Sequence, residues 1–169
     1  MDAQALGYDT SIYWEGDKRL LRTLDAAGEV VKYTICKGKP KFLRRAIRGR
    51  GTCCWKVRDA DGNLLLVKEG WRSKNRIAEV EFLKAAKGLR GVGQMIAFEE
   101  GENVSDLRGS SDSNLRDRTW SRITLEAYGK PIHEFISREQ LLVAFRDAVA
   151  GESYVQYLRH VIWLTVHSC

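Results

Sequence analysis

No apolar run in the sequence is long enough to cross a membrane. The candidate near the C-terminus, Val161-Ile162-Trp163-Leu164-Thr165-Val166, falls far short of the roughly 20 residues that a helical span needs. No export signal is recognisable at the N-terminus, which sets the expectation of an intracellular protein of the cytoplasm or nucleus. Cysteines number only four, Cys36, Cys53, Cys54 and Cys169, and none of them forms the spacing of a zinc knuckle. Adjacent Cys53 and Cys54 could bridge only with strain, so reduced thiols and no metal site are expected. Acid is in the minority, 22 residues against 28 basic, and the net charge of +6 is compatible with phosphate-bearing partners without proving them. No internal repeat is visible. Against these absences stands a hydrophobic content of 44%, enough for a packed core and against wholesale disorder.

The basic residues are unevenly spread. Lys37, Lys39, Lys41, Arg44, Arg45, Arg48 and Arg50 crowd one short stretch. A nucleic-acid interface acting through residues 37–51 is one interpretation. A solvated, positively charged strand pair is the other. Only Phe42 is interleaved, so there is little for bases to stack on, and nucleic acid is not the expected partner.

Taken in order, residues 1–30 read as an N-terminal extension in which Leu20, Leu21 and Leu24 suggest a helix stopped by Gly28. Val31, Tyr33 and Ile35 alternate as a strand does. Residues 46–71, AIRGRGTCCWKVRDADGNLLLVKEGW, read as a glycine-rich turn, a strand from Thr52 to Val57, a tight turn at Asp61-Gly62, and an apolar strand ending in Lys68. Residues 73–87 predict a helix capped by Ser73 or Asn75, with Gly88 as its stop and Glu79 on its inward side. Residues 91–99 predict a turn and short strand, and residues 100–118 a polar loop. Thr119 to Tyr128 predicts a strand with Trp120, Arg122, Thr124 and Glu126 on one face and Ser121, Ile123 and Leu125 on the other. Ser137 and Gln140 fit a capping box ahead of a helix whose apolar positions are Leu141, Leu142, Phe145, Ala148 and Val149. The fold class is therefore α+β. His133 has no carboxylate or serine spaced to make it a catalytic base.

The chemistry sits in residues 46–71. Glycines let backbone N–H groups approach an anion, and a lysine beside a buried strand supplies a cation that needs a counter-charge. In this order, the glycine hairpin, strand lysine, helix glutamate, two further strands and long helix resemble the N-terminal lobe of a protein kinase. More narrowly, residues 32–158 resemble the fungal-specific protein kinase family. The phrases that carry the likeness are GRGT (49–52), LLVKEGWR (65–72), E-x-x-F-L (79–83), LEAYGKPIHEF (125–135) and SREQLLVAFRDAV (137–149).

The resemblance implies an antiparallel sheet with one helix over 31–130, followed by the first helices of a truncated C-terminal lobe over 131–169. It implies ATP as ligand. Gly49, Gly51, Thr52 and Val57 would cover it, and Lys68 would hold its α- and β-phosphates and pair with Glu79. Leu125 would back the adenine pocket, and Glu126, Ala127 and Tyr128 would form the hinge. Two departures bear on function. Cys54 occupies the position of the third loop glycine, and Lys56 stands where a valine is usual. No H-R-D or D-F-G segment is present, and no aspartate follows Asp147. The expectation is a partial ATP site with weak ATP binding or none, magnesium not retained, and no phosphotransfer by this chain, a pseudokinase-like fragment. The alternative is a non-catalytic kinase-like module that docks a protein partner through its apolar residues 155–166.

Overall fold

The computed structural model of the protein describes residues 9–44, 49–89, 92–109, 117–126 and 134–151. The chain divides into two compact units, residues 1–76 with 96–127, and residues 77–95 with 128–169. The first is built on an eight-stranded sheet. In chain order its strands are β1 (Ile12–Glu15), β2 (Lys18–Leu24), β3 (Val30–Ile35), β4 (Phe42–Leu43), β5 (Cys53–Arg58), β6 (Leu64–Ser73), β7 (Met95–Asn103) and β8 (Arg118–Glu126). They lie in the order β1-β2-β3-β5-β6-β8-β7, with β4 also paired to β5. The protein is thus α+β and dominated by an antiparallel sheet.

Alternation explains the core. Cys53, Trp55 and Val57 of β5, Leu65 and Val67 of β6, Tyr33 and Ile35 of β3, and Leu21 of β2 are buried together. Each lies two residues from the next along its strand, so all fall on one face. Every such apolar side chain contributes about 1.5–3 kcal/mol when fully buried. The sheet curls around this face. Thr23 Oγ1 on β2 donates to Glu99 Oε2 on β7 at 2.8 Å, joining strands that are not neighbours in the sheet.

The hairpin between β5 and β6 forms where Asp61-Gly62 predicts it. Asn63 N donates to Asp59 Oδ1 at 2.8 Å, and Gly62 turns with φ +85°.

Several expectations are corrected. Leu20, Leu21 and Leu24 belong to a strand, not a helix. β2 has a hydrogen-bonded partner on each side, β1 and β3, and two ladders outweigh a local helical spacing. The two strands ahead of residue 30 therefore pair into the same sheet as β3. Lys68 does not end its strand. β6 runs on to Ser73 because Glu69 to Ser73 pair with Arg122 to Arg118 of β8. Ser73 is consequently unavailable as a cap, and helix α1 is only Glu79–Ala85, with Ala78 at its N-cap and no side-chain cap bond. The polar loop starts later than residue 100. β7 extends to Asn103, and α2 (Val104–Arg108) follows, opened by Asn103 Nδ2 donating to Asp106 Oδ2 at 2.9 Å.

In the second unit, Val80 of α1 and Ala86 at its C-cap are buried. Gln94 organises the return of the chain, accepting from Gly88 N at 2.7 Å and donating to Val92 O at 2.9 Å. Residues 138–151 are helical. Their start carries the reciprocal bonds anticipated from Ser137 and Gln140. Gln140 N donates to Ser137 Oγ at 3.1 Å, and Gln140 Oε1 accepts from Ile136 N at 2.8 Å, one residue earlier than a standard capping box.

Candidate functional site

The first unit has two sheet faces with opposite character. On the core face β6 contributes Leu65, Val67 and Glu69; on the other it contributes Leu66, Lys68 and Gly70. Cross-strand register carries that second face sideways. Lys68 stands opposite Cys54 of β5 and Ile123 of β8, and Leu66 stands opposite Lys56 and Leu125. Cys54 in turn stands opposite Phe42 of β4. Lys68 and Leu125 thus share a face on adjacent strands. Lys68 is half-buried, and Leu125 is buried.

The glycine-rich segment folds back onto β6 at the edge of this face. Trp71 N donates to Arg50 O at 2.7 Å, and Arg44 N donates to Thr52 O at 3.0 Å, which extends the β4–β5 ladder by one residue. Gly51 takes φ +54°, a left-handed conformation that a side chain disfavours. Gly70 is needed for another reason. A Cβ there would lie 3.1 Å from Arg50 O and 3.5 Å from Thr52 Oγ1, so the bare backbone of β6 is what lets the loop approach. Gly49 has φ +146°, and a Cβ on it would lie 3.8 Å from Nε of Arg44. Residues 45–48, including Arg45 and Arg48 of the basic run, lie outside the described residues; Lys37, Lys39, Lys41, Arg44 and Arg50 are exposed.

The remaining candidates are distributed unevenly. Val57 is fully buried in the core cluster, on the face opposite Lys68, and it is Lys56 that shares the Lys68 side. Glu79 is exposed at the first residue of α1 in the second unit, whereas Lys68 belongs to the first. Glu126 ends β8 and is exposed; Ala127 and Tyr128 lie outside the described residues, as does His133. The apolar stretch 155–166 and Cys169 also lie outside them. Among the described residues no group of three or more His, Cys, Asp or Glu is placed to hold a metal ion. Nor is any helix among them long and apolar enough to cross a membrane.

The sheet's back holds a residue whose importance the sequence does not announce. Arg122 of β8 is 2% exposed. Its Nη2 donates to Glu69 Oε2 at 2.8 Å and to Ser11 Oγ at 2.7 Å, and its Nη1 donates to Arg22 O at 3.0 Å. Asp9 and Glu99 complete the charge balance at 3.4 and 3.7 Å, and the guanidinium lies 4.8 Å from the Trp120 ring centre. Glu69 also accepts from Trp55 Nε1 at 3.0 Å. A buried guanidinium is tolerated only when its donors are matched in this way. Beside it, burial and the Glu69 carboxylate push the Cys53 thiol up to about 12. Cys36, Cys53 and Cys54 are all free thiols.

An antiparallel sheet with a glycine loop drawn against β6 and a lysine in the middle of that strand characterises this α+β protein. The family follows from comparison. The model of the fungal protein kinase family matches residues 1–111 and 100–158, and the chain belongs to that family. A search of curated proteins found no match.

Proposed function

We propose that the Lys68 face is the ATP-binding side of a kinase-type N-terminal lobe, and that this chain binds the nucleotide without transferring its phosphate. The observation that carries the proposal is the shared face of Lys68 and Leu125 on β6 and β8, beside a glycine loop tied to β6 by the Arg50–Trp71 backbone bond. Membership of a kinase family implies ATP as the nucleotide. Gly49, Gly51 and Thr52 sit at the phosphate end. Leu66 and Leu125, buried on this face, would back the base, the stem of Lys56 would border it, and residues 126–128 would follow as the hinge. Val57 has no part in it, being sealed in the core.

Phosphoryl transfer needs a group to accept the substrate's hydroxyl proton and a carboxylate to anchor magnesium. Residues 1–169 contain neither an H-R-D nor a D-F-G segment. The test is thermal stabilisation of the chain by ATP, with Lys68→Ala beside it. Stabilisation grows as RT ln(1 + [L]/Kd), so even a weak site shows at millimolar nucleotide. A shift in the wild type that Lys68→Ala removes supports the site, and no shift in the wild type ends the proposal. Radiolabelled phosphate appearing on a generic protein substrate would refute the claim of inactivity.

A second reading is favoured by one observation. On the helix at 138–151, Leu142, Phe145 and Val149 are exposed by 68%, 50% and 67% at helical spacing. An uncovered apolar stripe of this sort suits a docking surface for a protein partner, and the two readings are compatible.

A further inference from the structure

We propose that β4 and the loop before it, residues 37–44, form a peripheral contact with an anionic phospholipid surface, in which Phe42 and Leu43 enter the lipid interface and the cations around them meet the headgroups. A contact of this kind needs no spanning helix. It stands independently of the nucleotide reading.

Phe42 and Leu43 are the whole of β4. Register sets Phe42 opposite Cys54 and Leu43 opposite Cys53, so the two side chains leave the strand on opposite faces. Both are nonetheless exposed, by 52% and 50%. Among the described residues β4 pairs with β5 alone. A protein groove would cover one of the two faces and leave the other apolar side chain in water. A nucleic acid would find one aromatic ring to stack on, Phe42. Fluid hydrocarbon surrounds both side chains at once.

The charge around them is largely of one sign. From residue 30 to residue 58 the chain holds ten basic residues and no carboxylate. Of these, Lys37, Lys39, Lys41, Arg44 and Arg50 are exposed, and none of the ion pairs among the described residues involves them. Other elements bring three carboxylates towards the segment. Arg19 Nη1 of β2 donates to Gly38 O, which sets the loop beside the β1–β2 turn with its Glu15 and Asp17. Glu15 lies 3.5 Å from Lys32, and Asp17 is exposed. Glu69, opposite Cys53, is engaged by Arg122 at 2.8 Å. Five exposed cations beside Asp17 leave a positive surplus around the two apolar residues. Anionic headgroups attract such a surplus within about a Debye length, and salt weakens that attraction but not apolar insertion.

The experiment is sedimentation of the whole chain with vesicles of phosphatidylcholine alone and of a two-to-one mixture with phosphatidylserine. The mixed vesicles should bind it at least about tenfold more tightly. Lys39→Gln with Lys41→Gln should weaken that binding about 25-fold, at roughly fivefold per cation near an anionic surface. Lys87→Gln with Arg108→Gln, an equal charge loss at exposed residues outside the segment, should bind like the wild type. Phe42→Ser with Leu43→Ser should lose about tenfold, whereas Phe42→Trp, which keeps an interfacial side chain, should bind at least as well as the wild type. Urea midpoints equal to that of the wild type check that the variants are folded. Equal binding to the two kinds of vesicle overturns the proposal. So does a Phe42, Leu43 double variant that binds like the wild type, because the surface is then one of charge alone. Polyglutamate and single-stranded DNA are titrated separately at the same salt. Either one binding more tightly than the mixed vesicles assigns the surface to that partner and overturns the lipid contact.

Discussion

Arg122 and Glu69 face each other across β8 and β6, 2.8 Å apart, on the side of the sheet away from Lys68. Glu69 is the chain neighbour of Lys68, so the strand that carries Lys68 is fastened from behind by this pair. Arg122→Leu leaves Glu69 and Glu99 without their cation in a closed interior. The expected loss is about 3–5 kcal/mol, read as a lower midpoint in urea unfolding, with Arg122→Lys in between. A variant as stable as the wild type would show that the cluster is not structural.

Gly101 supplies a second test of the same region. A Cβ there would lie 2.7 Å from Cε3 of Trp120, the ring on which Arg122 stacks. That ring is rigid and cannot yield like the tip of a flexible chain. Gly101→Ala should cost about 1–3 kcal/mol by forcing the indole aside, and the change in tryptophan fluorescence should accompany the loss of stability. Gly93→Ala, where a Cβ meets nothing within 4 Å, is the neutral control.

The thiols should separate by reactivity. Cys53 is buried and held near 12, whereas Cys36 and Cys54 are half-buried. The thiolate is the reacting form. Iodoacetamide at pH 8 should label Cys36 and Cys54 well before Cys53, as read by tandem mass spectrometry of the peptide that carries both 53 and 54. Equal labelling of the two neighbours would contradict their placement on opposite faces.

Asp59 gives the fold a dependence on acid. Hydrogen bonds from the Asn63 side chain, and then from backbone N–H groups of the turn, hold its carboxyl below the ordinary value of 3.8. A depressed folded-state pKa contributes stability that is present above 3.8 and is lost as pH falls through the lower folded value. Asp59→Asn should therefore be less stable than the wild type at neutral pH. The gap should close as pH is lowered below 3.8. A gap that is unchanged by acid would mean that the turn does not depend on the ionised group.

Much of the sheet was legible in the sequence. Alternation found β3, β5 and β8, the Asp-Gly pair found the β5–β6 hairpin, and Ser137 with Gln140 found the start of the later helix. What failed was information held elsewhere in the chain. Leu20, Leu21 and Leu24 fit a helix by themselves, and only the ladders on both sides make them a strand. The full length of β6 depends on β8, some fifty residues away in sequence. The two faces of β8 were separable, but an arginine on a strand reads as outward. Its burial depends on Asp9, Ser11, Glu69 and Glu99, which no local pattern unites. On the candidate site, Lys68 and the glycines stood out in the sequence, while the approach of the loop to Gly70 did not. Val57 was named among the residues that would cover a nucleotide, whereas the structure puts it in the core cluster and leaves Lys56 on the Lys68 side, because one residue of offset along a strand reverses a side chain's direction.

That alternation along β6 gives the strand a period-two genetic signature. Substitutions at residues 65, 67 and 69 strike the sealed interior and should register as lost protein. A substitution at 68, which is half-buried on the other side, should leave the protein abundant, whereas one at 70 should disturb the loop that approaches it. Two kinds of defect are interleaved one residue apart, so a survey that averages over neighbouring positions would blur both into one.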